Sequence, residues 1–180
     1  GSENALVDYP DSGITVNEFL QTSAKHIYAA GSVTGNQFTT GDILLQSRIC
    51  AHNIIKTRSR ISPNYTSSPR VIFTWPEVAS VGLTEDDCIK RDLQFKTSIA
   101  TLNLVARSNT DDFNNGFVKL ICDKRGKILG ASVVSPEATS IIHELGLAIK
   151  YDLYASDLAD LPHAFLSWNE AIRVATNRIR

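Results

Sequence analysis

The chain has 180 residues, of which 43% are hydrophobic and 21% charged, which is enough to bury one substantial core and a smaller second unit. Eighteen basic residues face 19 acidic ones, and a net charge of −1 creates no field that would attract nucleic acid or anionic lipid. No segment approaches the roughly 20 consecutive apolar residues of a membrane-spanning helix. We therefore expect a soluble protein without nucleic-acid or membrane contacts.

The first residues and the cysteines indicate the cellular setting. Gly1-Ser2 is typical of a cloning remnant, so we expect the natural N-terminus, with any targeting signal, to lie upstream. Cys50, Cys88 and Cys122 are odd in number, widely spaced and without zinc-ligand spacing to the four histidines. They indicate buried free thiols in a reducing compartment such as the cytoplasm, and no metal site.

The first third of the chain predicts a short α/β piece. His26–Ala30 is an apolar run that ends in glycine, which predicts a buried strand. Residues 42–55 carry leucine, isoleucine and alanine near helical spacing, which predicts a helix packed on one face. Residues 58–69 are rich in basic, hydroxyl and proline residues, so we predict a linker between a segment at 1–57 and a domain at 70–180.

The remaining residues predict an antiparallel sheet covered by helices. Strand-like runs occur at residues 70–74, 95–105, 116–122 and 128–134, and a turn ending at Gly126 joins the last two. Thr84 and the acids after it predict a short capped helix. Ser135-Pro136-Glu137 predicts the start of a long amphipathic helix that reaches Tyr151. Two shorter helices, capped by Ser156 and Ser167, complete an α+β fold.

Three motifs together resemble the pyridine-nucleotide disulfide oxidoreductases, the family of dihydrolipoamide dehydrogenase, glutathione reductase and mercuric reductase. They are residues 22–31 (TSAKHIYAAG), residues 73–84 (FTWPEVASVGLT) and residues 126–134 (GKILGASVV). The resemblance implies that the chain is the C-terminal part of such an enzyme. It would hold the end of the FAD-binding domain, as a strand and a helix, and then the dimerisation domain.

The resemblance also implies which residues of the first segment would touch FAD. Gly31 matches the glycine beside the cofactor, and Ser32 stands where the family has an acid that binds the ribityl chain. Gly41 and Asp42 begin the helix whose positive end faces the flavin ring in the family. A carboxylate at Asp42 would occupy that end itself, so we favour a helix-capping role for it.

The C-terminal segment departs from the family pattern of a histidine followed five residues later by a glutamate. Glu170 matches the glutamate, but Phe165 replaces the histidine that shuttles protons, as an aromatic residue does in mercuric reductase. His163 is an unfavoured substitute for that base, and a satisfied or solvent-facing loop histidine is the preferred interpretation. Glu170 also fits a capping box with Ser167, and we prefer that role.

The chain contains neither a glycine-rich dinucleotide loop nor the paired redox cysteines that the family needs. The parent protein would therefore bind FAD and NAD(P)H through upstream domains, while this chain alone binds neither and is inactive. The resemblance implies that it supplies the homodimer interface and part of the active-site wall. A non-catalytic association module derived from such a reductase is the alternative, so the sequence leaves enzyme status open.

Overall fold

A computed structural model describes residues 3–35 and 38–179, and the prediction for Gly1-Ser2 lies outside them. The chain divides into two compact units, Gly1–Tyr65 and Thr66–Arg180. They are called the N-terminal unit and the C-terminal unit below.

Over its described residues, the N-terminal unit contains one regular helix, α1 (Thr40–Ile55), with short 3₁₀ turns at Glu3–Ala5 and Gly31–Thr34. Its small core is formed by Leu20, Ile49 and Cys50. The strand predicted at His26–Ala30 is wrong, because only a single bridge joins Tyr28 to Gln21. The described part of this unit has no regular strand that could hydrogen-bond to a strand at this position.

The C-terminal unit is built on a five-stranded sheet in which every pairing is antiparallel, in the order β1-β2-β5-β4-β3. The strands are β1 (Arg70–Ile72), β2 (Glu77–Gly82), β3 (Phe95–Thr101), β4 (Phe117–Asp123) and β5 (Ile128–Ser135). The predicted antiparallel sheet is confirmed. Sequence analysis did not identify β2, and it extended β3 through a 3₁₀ turn at Leu102–Leu104.

The turn between β4 and β5 is held by one aspartate. The Asp123 carboxylate accepts hydrogen bonds from the backbone N–H groups of Arg125 and Lys127 at 2.8 and 2.9 Å. Gly126 adopts a φ of 90°, which a side chain at Cβ would disfavour. The predicted hairpin turn is therefore confirmed.

Helices cover the sheet and supply half of the core. Helix α4 (Ala138–Lys150) packs on β2 and β5, α6 (Glu170–Asn177) packs on β3 and β4, and α5 (Ala155–Ala159) packs on α6. Two further helices are α2 (Glu85–Lys90) and α3 (Ala106–Thr110). The α4 side chains Ile141, Ile142 and Leu145 are fully buried, which confirms the apolar stripe predicted for this helix.

Three predicted helix starts are wrong. Ser135 is the last residue of β5, where it pairs with Glu77, so α4 begins three residues later at Ala138. Ser156 lies inside α5, whose first turn is closed instead by Asp157 and the backbone of Tyr154. Helix α6 begins at Glu170, and Asn169 rather than Ser167 precedes it. By contrast, Thr84 caps α2 as predicted.

Candidate functional site

The glycine that ends the first motif lies at the start of a buried polar chain in the N-terminal unit. The Gly31 backbone, at a φ of 80°, donates from its N–H to Gln46 Oε1 at 2.6 Å. Gln46 Nε2 in turn donates to the Tyr65 hydroxyl at 2.8 Å, and Gln46 is fully buried. Burial raises the pKa of Tyr65, the Gln46 hydrogen bond opposes this rise, and the nearby Asp42 adds to it. Sequence analysis missed Gln46 and Tyr65.

Asp42 closes the N-terminus of α1 by a capping box with Thr39. Its Oδ2 accepts from the Thr39 N–H at 3.0 Å and from the Thr39 hydroxyl at 2.8 Å, while the Asp42 N–H donates to the same hydroxyl. This geometry confirms Asp42 as a helix-capping acid. Asp42 Oδ1 is buried and has no hydrogen-bond partner among the described residues.

The residues expected at the flavin do not by themselves fit that cofactor. A negative carboxylate at Asp42 occupies the positive end of α1, where electron-rich flavin carbonyl oxygens would need unopposed N–H groups. Ser32 contributes an exposed, uncharged side chain. A Cβ at Gly31 would meet only the Ile43 side chain, at 3.4 Å, and a Cβ at Gly41 would make an ordinary contact with the Thr39 hydroxyl, at 3.7 Å.

In the C-terminal unit, Phe165 and Glu170 lie in different surroundings. Phe165 is 76% exposed. Glu170 Oε1 lies 3.9 Å from Arg173, whereas its Oε2 is buried without a hydrogen-bond partner among the described residues. Ser167 Oγ is also buried without such a partner, and no side chain caps α6, so the predicted capping box between Ser167 and Glu170 is wrong.

His163 is held by a partly buried pair with Glu144 that sequence analysis missed. Its Nε2 lies 2.9 Å from Glu144 Oε1, and its Nδ1 lies 3.0 Å from the Leu161 carbonyl oxygen. The other carboxylate oxygen of Glu144 accepts from Asn169 Nδ2 at 2.7 Å. The His163 side chain is only 3% exposed, so it presents neither ring nitrogen to a substrate in this arrangement.

The spacing of α4 contains a signal that could have identified Glu144. It lies three residues after Ile141 and four before Ala148, both of which are buried, so it borders the apolar stripe. Its neighbour His143 lies on the exposed side of the helix. An acidic side chain at the edge of a buried helix face needs a hydrogen-bond donor as its partner, and the spacing of the sequence indicates this requirement.

Three aromatic rings, those of Trp75, Phe113 and Trp168, contact one another in series at this segment. The Trp75 ring lies 6.1 Å from Phe113, and the Phe113 ring lies 6.2 Å from Trp168 in an edge-on arrangement. Trp168 is buried, whereas Trp75 and Phe73 are 76% and 78% exposed. An apolar surface of this kind is typical of an interaction site.

Within residues 3–35 and 38–179, no three histidine, cysteine or acidic side chains are arranged to hold a metal ion. Over the same residues, no helix combines the length and hydrophobicity needed to cross a membrane. All three cysteines are free and buried.

The fold and the motifs of the C-terminal unit define a known class of protein domain. Residues 68–176 match the family described as pyridine nucleotide-disulphide oxidoreductase, dimerisation domain. The chain belongs to that family.

Curated relatives include several reductases and dehydrogenases. Dihydrolipoyl dehydrogenase 2 of Arabidopsis thaliana is 34% identical over 163 residues, covering 90% of this chain and 32% of the relative. Mercuric reductase of Lysinibacillus sphaericus is 35% identical and covers 90% of this chain and 30% of the relative. Mycothione reductase of Mycobacterium tuberculosis is 31% identical, with 88% and 36% covered. The chain thus spans about a third of these relatives.

Solved structures have the same fold over nearly the whole chain. LpdA from Mycobacterium tuberculosis aligns with a TM-score of 0.90 at 25% identity, covering 100% of this chain and 39% of that one. The HOCl-induced flavoprotein disulfide reductase RclA from Escherichia coli aligns with a TM-score of 0.90 at 22% identity, covering 99% and 42%.

Proposed function

We propose that this chain is the homodimerising part of a flavin-dependent NAD(P)H oxidoreductase similar to mercuric reductase or dihydrolipoyl dehydrogenase. The family match and the curated relatives support the class of parent enzyme. In this proposal, residues 1–57 are the end of an FAD-binding domain, residues 58–69 are a linker and residues 70–180 form the subunit interface. The redox centre and the nucleotide sites belong to upstream domains.

The exposure of the aromatic residues Phe73 and Trp75 is the observation that most strongly supports a homodimer. Phe73 and Trp75 are large, rigid and more than three-quarters exposed, although they lie one and three residues after the end of β1 in a well-packed sheet. Aromatic residues are enriched in the cores of protein interfaces, and tryptophan is frequent among the residues that dominate binding energy. A second copy covering this surface would bury them by an isologous contact.

Sedimentation equilibrium from 1 to about 100 µM tests the homodimer. We expect a mass twice the 19.7 kDa of one chain at the higher concentrations. Trp75→Gln should weaken association by about 30-fold, a loss typical of a central aromatic residue. Ile55→Gln removes a similarly exposed apolar side chain from the N-terminal unit and serves as the control. A monomer throughout this range contradicts the proposal.

We also propose that the chain alone neither binds FAD nor oxidises NAD(P)H. The capping box at Asp42 and the uncharged Ser32 disfavour flavin contacts, and Phe165 has no ionisable group for proton transfer. Purified protein mixed with FAD and passed through a desalting column should show no flavin absorbance. Retained flavin at a one-to-one ratio contradicts this part of the proposal.

A non-catalytic association module is a second candidate, because a specific feature favours it. The position of the family's proton-shuttling histidine holds Phe165, while Glu170 keeps a buried carboxylate oxygen that has no hydrogen-bond partner in the described part of the chain. The coding sequence of the parent separates the two candidates. An upstream Cys-x-x-x-x-Cys pair with two glycine-rich loops supports the enzyme, and their absence supports the module.

A further inference from the structure

The segment at residues 161–168, here called the tip loop, joins α5 to the start of α6 and carries Phe165 at its centre. Its first half is held by the His163 imidazole, which lies between Glu144 of α4 and the Leu161 carbonyl. This contact connects residues 19 positions apart in the chain. The tip loop is therefore fixed to the long helix that covers the sheet.

The attachment of the tip loop to α4 depends on the hydrogen bonds that His163 makes. Both ring nitrogens of His163 lie within hydrogen-bond distance of oxygen acceptors, a carbonyl on one side and a carboxylate on the other. A hydrogen bond to a carboxylate is charge-assisted. A hydrogen bond of this charge-assisted kind is about twice as strong as a neutral one. Asn169 donates a hydrogen bond to the second carboxylate oxygen of Glu144 and so fixes the orientation of this side chain.

The second half of the tip loop is held by packing. Trp168 is 2% exposed and lies edge-on against Phe113. Between the two fixed points, Leu166 adopts a φ of 64°, a left-handed conformation that is unfavourable for a non-glycine residue. Such a conformation persists only where its surroundings determine it. The loop is thus fixed at both ends while Phe165 projects from its middle, 76% exposed.

We propose that Glu144 and His163 are positioning residues that hold the tip loop in one conformation, so that Phe165 is presented ready-formed to a second copy of this chain. This inference rests on the homodimer proposed above. The tip loop lies inside residues 68–176, which match a family described as a dimerisation domain. This match supports a second copy of the chain as the partner that contacts Phe165. Fixing a loop before it binds removes the entropic cost of ordering it during association.

A double-mutant cycle on the dimer dissociation constant tests the inference in the full chain. Glu144→Gln keeps the size of the side chain but removes its charge, and it should weaken dimerisation about tenfold. His163→Gln, which retains an amide donor, should weaken it less than His163→Ala. In a Phe165→Ala background, Glu144→Gln should change the constant less than twofold, because the residue it positions is gone. His143→Ala, on the exposed side of the same helix, is the control.

The outcomes separate this inference from the homodimer itself. A monomeric wild type overturns both. A dimeric wild type whose affinity is unaffected by Glu144→Gln and His163→Ala overturns only the positioning role, as does an equal loss in the presence and absence of Phe165.

Hydrogen exchange provides a measurement that does not depend on any variant folding. The Ser167 amide donates to the Ala164 carbonyl at 3.2 Å within the tip loop. We expect this amide to exchange far more slowly in the wild type than in an unstructured chain. Exchange at the unstructured rate overturns the inference.

Discussion

The two units of this chain differ in how much apolar surface they can bury by themselves. Among the described residues, the core cluster of the C-terminal unit contains 22 buried hydrophobic residues from all layers of the fold, whereas that of the N-terminal unit contains three. Helix α1 also leaves Leu44, Ile54 and Ile55 exposed. The C-terminal unit therefore has the interior of an independent domain, and the N-terminal unit has that of a fragment.

The two units also differ in how firmly their candidate functional residues are held. The C-terminal unit fixes its own loops, including the one that carries Phe165, through a core that is complete within residues 66–180. In the N-terminal unit, the Gly31 N–H donates to the Gln46 side chain, and Asp42 keeps a buried oxygen without a partner among the described residues.

Separating the two units should give the largest effect. We expect residues 66–180 expressed alone to unfold cooperatively in urea, because their core resembles that of an ordinary domain. Residues 1–65 should show no cooperative transition, since each ordered residue costs about 1.5 kcal/mol of conformational entropy and a core cluster of three residues offsets little of it. Circular dichroism during urea titration measures both. A sigmoidal transition in residues 1–65 contradicts the comparison.

Core truncations sharpen the same contrast. Leu145→Ala should lower the free energy of unfolding of the C-terminal unit by about 3 kcal/mol, because it empties space in a fully enclosed core. Ile49→Ala should leave that transition unchanged, because Ile49 belongs to the other cluster. Leu147→Ala, on the exposed side of α4, should cost less than about 0.5 kcal/mol. Equal effects of Leu145→Ala and Leu147→Ala would contradict the burial assigned to α4.

The same contrast explains which features the sequence could predict. The strands β4 and β5 and the apolar stripe of α4 follow from periodicity, because a closed core imposes it on the residues that face inward. The start of α4 was misplaced, because sheet pairing between Ser135 and Glu77 overrides the local preference of Ser-Pro-Glu for a helix N-terminus. The strand predicted at His26–Ala30 has the right composition, but a strand also needs a neighbour.

The candidate sites were harder to predict, because their contacts are long-range. Glu144 and His163 meet across 19 residues, and Gly31 and Gln46 meet across 15, so no local motif brings either pair together. Asp42 was identified correctly because a capping box is local and lies within four residues. Ser167 and Glu170 have the same spacing, yet the burial of Trp168 between them delays the start of α6.

Alkaline unfolding should give a smaller effect that is specific to the larger core. Burial raises the pKa of Cys122 from its ordinary value of 9.0 to about 12, and Asp123 adds to this rise. The folded state thus keeps the neutral thiol where the unfolded state ionises. The stabilisation is complete below pH 9 and is lost progressively as the pH rises from 9 towards 12.

Urea midpoints at pH 8.0 and 10.5 measure this loss. The wild type should lose about 1–2 kcal/mol more than Cys122→Val, which fills a similar volume without an ionisable group. Cys50 also has a raised pKa because of burial, but Cys50→Val should not alter the transition of the C-terminal unit. Identical pH dependence of wild type and Cys122→Val would show that the thiol does not contribute.

The smallest effect concerns the two capping boxes, which share the pattern Thr-x-x-Asp and differ in burial. The Thr84 side chain, followed by its backbone N–H, lowers the pKa of Asp87, whose carboxylate lies at the solvent-facing start of α2. The charged form of Asp87 is favoured in the folded state, so its contribution to stability is present above its ordinary pKa of 3.8 and is lost as the pH falls below that value.

Thr84→Ala should therefore reduce the free energy of unfolding at pH 6 by less than Leu145→Ala does. The difference in stability between Thr84→Ala and the wild type should be smaller at pH 3 than at pH 6. Thr39→Ala, in the more buried box of α1, should leave the urea transition of the C-terminal unit unchanged at both pH values, because that box belongs to the other unit, which has its own small core.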